Sequence, residues 1–175
     1  MPELAEAPDI EEGPARRSVA RVYTPDQRRR RDATPWTLVQ GVLAPVQFLV
    51  FVASLLLVLR CLLTGAGYQV ATISVVVKTL TLYTIMITGS IWEKVVFGRY
   101  LFAPAFFWED VFSMLVLFLH TAYLVALWRG ALGPTPLMLL ALSAYVAYVI
   151  NAAQFLRKLR MARREESAGR IEAIA

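Results

Sequence analysis

Four stretches of this sequence are nearly free of charge, and each is long enough to cross a lipid bilayer. From Pro35 to Leu59 there is no formal charge, and Val, Leu, Phe and Ala dominate. A spanning helix needs about 20 such residues. A second run extends from Val70 to Trp92, broken only by Lys78, and a third from Val111 to Trp128 contains His120. The fourth is charge-free from Gly130 to Leu156, and Gly133, Pro134 and Pro136 place its start near Leu137. The chain is 58% hydrophobic and 18% charged, against about 25% charged in a soluble domain. The pattern predicts an all-α membrane protein of four transmembrane helices, spanning about residues 37–59, 70–92, 111–128 and 137–156. The first is an anchor rather than a cleaved signal, because its apolar core exceeds the 7–15 residues or so of a signal h-region and a long polar segment precedes it.

Basic residues set the orientation. Arg16, Arg17, Arg21 and Arg28 to Arg31 precede the first span, Lys94 and Arg99 lie in the second connection, and Arg157, Lys158, Arg160, Arg163, Arg164 and Arg170 follow the last. Only Arg60 and Arg129 fall on the other side, so both termini are expected in the cytoplasm. Residues 1–34 read as a disordered, basic N-terminal segment, 35–160 as the membrane domain, and 161–175 as a basic cytoplasmic tail. The net charge of +5 is explained by flanks that meet anionic headgroups, without nucleic acid. With His120 as the one histidine and Cys61 as the one cysteine, zinc sites, bis-histidine haem and a disulfide within the chain are excluded.

An ionisable or amide side chain inside a span is costly and therefore a functional suspect. Gln40 and Gln47 share a face of the first span, and Asn151 and Gln154 a face of the fourth, all towards the basic side. Glu93 closes the second span there, and Glu109 and Asp110 open the third. His120 and Lys78 are roughly 15 and 20 Å deeper, at a rise of about 1.5 Å per residue. Glu109 and His120, eleven residues apart, fall on one stripe. The amides serve equally as hydrogen-bonding glue between helices or as the walls of a cavity open to the cytoplasmic side. Lys78 either snorkels or pairs with a carboxylate.

Seven aromatics fall between Trp92 and Trp108: Trp92, Phe97, Tyr100, Phe102, Phe106, Phe107 and Trp108. They form either an aromatic belt at headgroup level or the flat walls of a site, Phe107 and Trp108 among them, with Glu93, Lys94, Arg99, Glu109 and Asp110 at its margins. The second arrangement suits a large planar amphiphile that carries a carboxylate. No G-x-S-x-G, P-loop, G-x-G-x-x-G or H-E-x-x-H motif occurs, so the residues alone stop short of a reaction.

The strings YTPDQRRRRDAT (23–34), WTLVQGVLAPVQFLVF (36–51), GSIWEKVVFGRYLFAPAFFWEDVFSMLV (89–116), LHTAYL (119–124) and YVINAAQFLRKLR (148–160) resemble the 3-vinyl bacteriochlorophyllide hydratase family, also called 2-vinyl bacteriochlorophyllide hydratase. The resemblance runs from about Tyr23 to Arg160. It implies a lyase of bacteriochlorophyll biosynthesis, resident in the bacterial inner (photosynthetic) membrane, that adds water across the 3-vinyl group of a chlorophyllide to give a 3-(1-hydroxyethyl) group. The substrate it implies is a planar magnesium tetrapyrrole with a free propionate. No redox cofactor is implied, since hydration moves no electrons, and the magnesium belongs to the substrate.

Such a reaction needs a proton donor for the terminal vinyl carbon and a group to orient or deprotonate water. The expected donor is Glu109 or Asp110, whose adjacent carboxyls differ in depth, with Glu93 in reserve. His120 holds water or approaches the substrate magnesium. Lys94 and Arg99 meet the propionate, and Phe107, Trp108, Asn151 and Gln47 complete the binding set. The competing reading is a tetraspan carrier or assembly factor that binds the same pigment unchanged. A small multidrug-type transporter is a weaker third reading, since such proteins usually carry an acidic residue in the first span and none lies between Pro35 and Leu59. Other pigment-biosynthesis enzymes are implied as partners, and a four-helix bundle is small enough to share a site across a homodimer.

Overall fold

The computed structural model describes residues 22–172, and the expected disorder of the first 21 residues lies outside them. The chain is all-helical: α1 (Pro25–Ala33), α2 (Pro35–Thr64), α3 (Tyr68–Phe97), α4 (Phe107–Arg129) and α5 (Pro134–Glu172). The last four contain segments long and apolar enough to cross a membrane.

Their limits follow from local chemistry. Thr34 caps α2 by accepting a hydrogen bond from the Trp36 amide, with Pro35 in the first turn, where a missing N–H costs nothing. Gly65, Gly98 and Gly130 end α2, α3 and α4 in the left-handed conformation, at φ 69°, 81° and 58°, which a residue with a Cβ adopts only at a cost. All four helices exceed the charge-free runs because helix termini follow caps rather than charges.

Two elements were not foreseen. α1 forms at Thr24-Pro25-Asp26-Gln27, where Thr24 Oγ1 accepts from the Gln27 amide and Gln27 Oε1 accepts from the Thr24 amide. This reciprocal capping box offsets the unfavourable run of arginines. At the other terminus α5 does not stop at Leu156 but continues through Arg157-Lys158-Leu159-Arg160-Met161-Ala162, all good helix formers. Ala162 is buried there against Val22, Tyr23, Val96 and Phe106, and Glu165 Oε2 accepts from the Val22 amide at 3.1 Å. Both described ends of the chain thus meet at one end of the bundle, which also holds Lys94 and Arg99 and is called the basic end below.

α2 packs chiefly on α3 and α4 on α5, so the bundle is two antiparallel hairpins joined along a lighter α2–α5 seam. The radial distribution is inverted relative to a soluble bundle. On α2, Gln47, Phe51, Ser54, Val58 and Cys61 face inward, while Leu49, Leu56 and Leu63, at seven-residue spacing, are 68%, 62% and 83% exposed. Lipid accepts the leucines, whereas only another helix satisfies the hydroxyl and amide.

The left-handed caps generate a stability prediction. No atom lies within 4 Å of a Cβ built on Gly65 or Gly133, but only Gly65 has a positive φ. Gly65→Ala should cost about 1 kcal/mol from backbone strain alone, and Gly133→Ala close to nothing. Unfolding in mixed detergent micelles, followed by loss of helical circular dichroism, measures the difference.

Candidate functional site

The buried stripe of α4 runs Glu109, Asp110, Ser113, Val116, His120, Tyr123, from the basic end to the middle of the bundle. Three of the four acid–base candidates cluster at its start. Glu93, one turn before the end of α3, and Asp110 are both buried, and they bind the amides of two consecutive residues.

The same pair secures the α3–α4 connection. Asp110 Oδ2 accepts from the Phe102 amide at 2.7 Å, and Glu93 Oε2 from the Ala103 amide at 3.5 Å. Phe102 is the one non-glycine among the described residues with a positive φ, 60°. This strained conformation persists because a carboxylate oxygen captures its N–H. Glu109 differs from its neighbour: Oε1 lies 3.4 Å from Lys158 Nζ on α5, and Oε2 is buried without a hydrogen-bond partner among the described residues.

The loop aromatics divide into two sets. Trp92, Phe97 and Phe106 interlock with one another and with Tyr23, and Phe106 stacks on Phe155 at 6.0 Å. They wall the bundle rather than offer a surface, and Trp92 Nε1 donates to Thr37 Oγ1 at 2.9 Å. Tyr100, Phe102, Phe107 and Trp108 are exposed. Lys94 donates to the Gly98 carbonyl at 3.0 Å and lies over the Tyr100 ring, while Arg99 is exposed beside them. A cleft of about 470 Å³ on α5 at this end is lined by Ala153, Leu156, Arg157, Arg160, Met161 and Arg164.

His120 stands apart from the carboxyls, ten residues beyond Asp110 and therefore about 15 Å further along the helix. It is fully buried, and Nδ1 is 2.8 Å from the Val116 carbonyl oxygen. A carbonyl only accepts, so Nδ1 carries the hydrogen and Nε2 presents a bare lone pair. That Nε2 is buried with no partner among the described residues. Between the two levels, Asn151 Nδ2 donates to Ser113 Oγ at 2.9 Å, leaving Asn151 Oδ1 unpartnered. Gln47, 2% exposed, has neither amide atom partnered. It lies one turn before Phe51, whose ring touches Tyr145 and Tyr148.

The interior therefore carries a column of unpaired hydrogen-bonding atoms leading from the basic end to mid-bundle. Gln47, Asn151, Lys78 and His120 stood out in the sequence, but their neighbours Ser113, Tyr145 and Tyr148, which lie within charge-free runs, did not. The signal was their spacing: Ser113 precedes His120 by seven residues, and Tyr148 and Tyr145 lie three and six before Asn151.

Residues 23–161 match the family described as 2-vinyl bacteriochlorophyllide hydratase. The chain belongs to that family. It is 63% identical over 156 residues to the 2-vinyl bacteriochlorophyllide hydratase of Rhodobacter capsulatus, covering 89% of each chain. With the enzyme of the same name from Cereibacter sphaeroides it shares 66% over 149 residues, 85% of this chain and 92% of the other. No solved structure matches. The match begins at Tyr23, which stacks on Phe97, and ends at Met161, so Val22, Ala162 and Glu165, which join the two described ends, lie just outside it.

Asp110→Ala should leave the part-buried Phe102 amide without its carboxylate partner, costing about 1 kcal/mol, and should free the loop. Asp110→Asn, which keeps an acceptor for that amide and a donor for Glu93, should not. Hydrogen exchange at Phe102 and Ala103 reports this directly: fast in the alanine variant, near wild type in the asparagine variant.

Proposed function

We infer that the chain adds water across the vinyl group of a chlorophyllide or bacteriochlorophyllide, converting it to a 1-hydroxyethyl group. Membership of the hydratase family and its two close relatives support the reaction class. The observation that carries the site is the tautomer of His120, whose Nδ1–H is committed to the Val116 carbonyl while Nε2 stays free inside the bundle.

The amphiphilic shape of the substrate sets its direction. Its carboxylate stays with the cations of the basic end, where Lys94, Arg99 and the arginines of the α5 cleft lie, and its apolar macrocycle enters the bundle. By the positive-inside rule that end faces the cytoplasm of a bacterial photosynthetic membrane. The vinyl group, remote from the carboxylate, then lies at the depth of His120, with Gln47 and Asn151 beside the column as polar contacts. Phe107 and Trp108 meet the part of the pigment, or the lipid, outside the bundle.

Protonation of the terminal vinyl carbon forms a C–H bond and leaves a cation on the inner carbon, conjugated with the macrocycle. Water attacks that carbon, and His120 Nε2 takes the proton released as the C–O bond forms. The Glu93–Asp110 pair, with Glu109 next to it, forms the mouth of the site and secures the loop that closes it. No electron is transferred, so the reaction calls for no redox cofactor, and the magnesium arrives with the substrate. A pigment carrier would bind the same molecule without needing an unpaired base at mid-bundle, which favours the hydratase over that alternative.

Membranes containing the chain, supplied with 3-vinyl bacteriochlorophyllide, should yield a product heavier by one water with a blue-shifted red absorbance band. His120→Phe keeps the ring volume and removes the base, and turnover should fall by about 10²-fold or more while pigment still co-purifies. Unchanged pigment bound to the wild-type chain would instead identify a carrier.

The double change Glu93→Gln with Asp110→Asn removes both rim carboxyls while retaining their hydrogen-bonding shape. Turnover should stay within about threefold of wild type, because the addition of water consumes no net proton. A fall of about 10²-fold would instead place the acid at the rim.

A further inference from the structure

Hydration also requires a group that hands a proton to the terminal vinyl carbon. The rim carboxyls lie too far along α4 from His120 to act on the same two-carbon unit, by about 15 Å. A donor must stand near His120.

Lys78 meets that requirement. It lies on α3, its side chain fully buried, and Nζ has no hydrogen-bond partner among the described residues. It neither snorkels to a headgroup nor pairs with a carboxylate. Nζ lies 4.1 Å from the centroid of the Tyr148 ring and 5.9 Å from that of Tyr145. The same Tyr145 ring is 5.9 Å from the His120 imidazole, so one side chain touches both groups. Tyr145 is fixed in turn by Ser54, which shares hydrogen bonds with the Tyr145 hydroxyl and with Ser74 Oγ.

The depths agree. Tyr148 precedes Asn151 by three residues, and Asn151 is bonded to Ser113, three residues beyond Asp110. The Lys78 head group is thus about 9 Å below the rim along the bundle axis, by six residues at about 1.5 Å, and on the His120 side of it. A cation over a tyrosine face is held through the ring quadrupole, which commits none of its N–H bonds to an acceptor. An intramembrane lysine without a counter-ion is rare and marks function by default.

A shallow apolar surface lies outside this centre. A groove of about 230 Å³ on the α2–α5 seam is lined by Phe51, Leu55, Leu142, Tyr145, Val146, Val149 and Ile150. That is below the 300–1,000 Å³ or so of a site enclosing a whole ligand, and suits one edge of a flat ring entering from lipid. Phe51 and Tyr145 are walls of the groove and also border the polar centre.

We propose that Lys78 is the proton donor of the hydration, delivering the ammonium proton to the terminal vinyl carbon while His120 Nε2 receives the proton of the attacking water. One C–H and one C–O bond form and one O–H bond of water breaks. Return of the proton from His120 to the Lys78 amine restores the starting state, so the net change is the addition of one water. This inference rests on the hydratase reading.

The test uses the full-length chain in membranes with 3-vinyl bacteriochlorophyllide, comparing wild type, Lys78→Met and Lys78→Gln. Neither variant should unfold, since replacing a buried lysine by a neutral side chain of similar length removes an unpaired charge. The expected result is a kcat lower by about 10²-fold or more in both, with KM and pigment retention within about threefold of wild type. Turnover within threefold of wild type in either variant would overturn the assignment. So would loss of pigment binding at unchanged kcat, which would make Lys78 a binding residue, and so would loss of folded helix in both. A wild-type chain that binds the pigment and never hydrates it defeats the hydratase reading and this inference together. Wild-type turnover with active Lys78 variants defeats this inference alone.

Discussion

Hydrocarbon offers a polar side chain no partner, and the organisation of this bundle follows from that. Leucines that would form the core of a soluble protein lie outside, and serines, amides, a histidine and a lysine lie within. Some of these are satisfied by other helices: Gln40 by Thr88, Asn151 by Ser113, Tyr145 by Ser54. Others are not. Leaving a buried polar group unpaired costs about 1–3 kcal/mol, and a folded domain is stable by only about 5–15 kcal/mol. Lys78, His120, Gln47 and Asn151 all carry such atoms, so the column they form is sustainable only if water or a ligand's polar groups engage it.

The same constraint separates the two ends of the site. At the basic end, buried carboxyls are each given something to hold: two loop amides for Glu93 and Asp110, and Lys158 for Glu109. Together they close the α3–α4 connection. At mid-bundle His120 and Lys78 are held by a carbonyl and by a tyrosine face, which leave Nε2 and Nζ without hydrogen-bond partners among the described residues. The division matches an amphiphilic pigment that keeps its carboxylate among cations and places its apolar edge deep in the bundle.

Much of this was legible in the sequence, for identifiable reasons. Four charge-free runs and the lopsided arginines specified four long helices with both chain ends together, because bilayer thickness fixes span length. The depth of His120 followed from counting residues along one helix. The capping box at Thr24 was present as a motif but was masked by four consecutive arginines. The continuation of α5 past Arg157 was hidden because charge ends a span without ending a helix. Three of the seven loop aromatics pack inward in a cluster that includes Tyr23 and Phe155, residues distant in sequence. The company that Lys78 keeps with Tyr145 and Tyr148 depends on how α3 and α5 cross, which no single-helix periodicity encodes.

The central claim is that water itself is added inside the bundle, with no other reactant. It is tested most directly with the purified chain in lipid vesicles, 3-vinyl bacteriochlorophyllide, and buffer made in water labelled with heavy oxygen. The account predicts a 1-hydroxyethyl product whose new oxygen carries the label in proportion to its enrichment in the buffer, formed without added cofactor. Pigment recovered unaltered, or a product whose oxygen does not come from water, would contradict it.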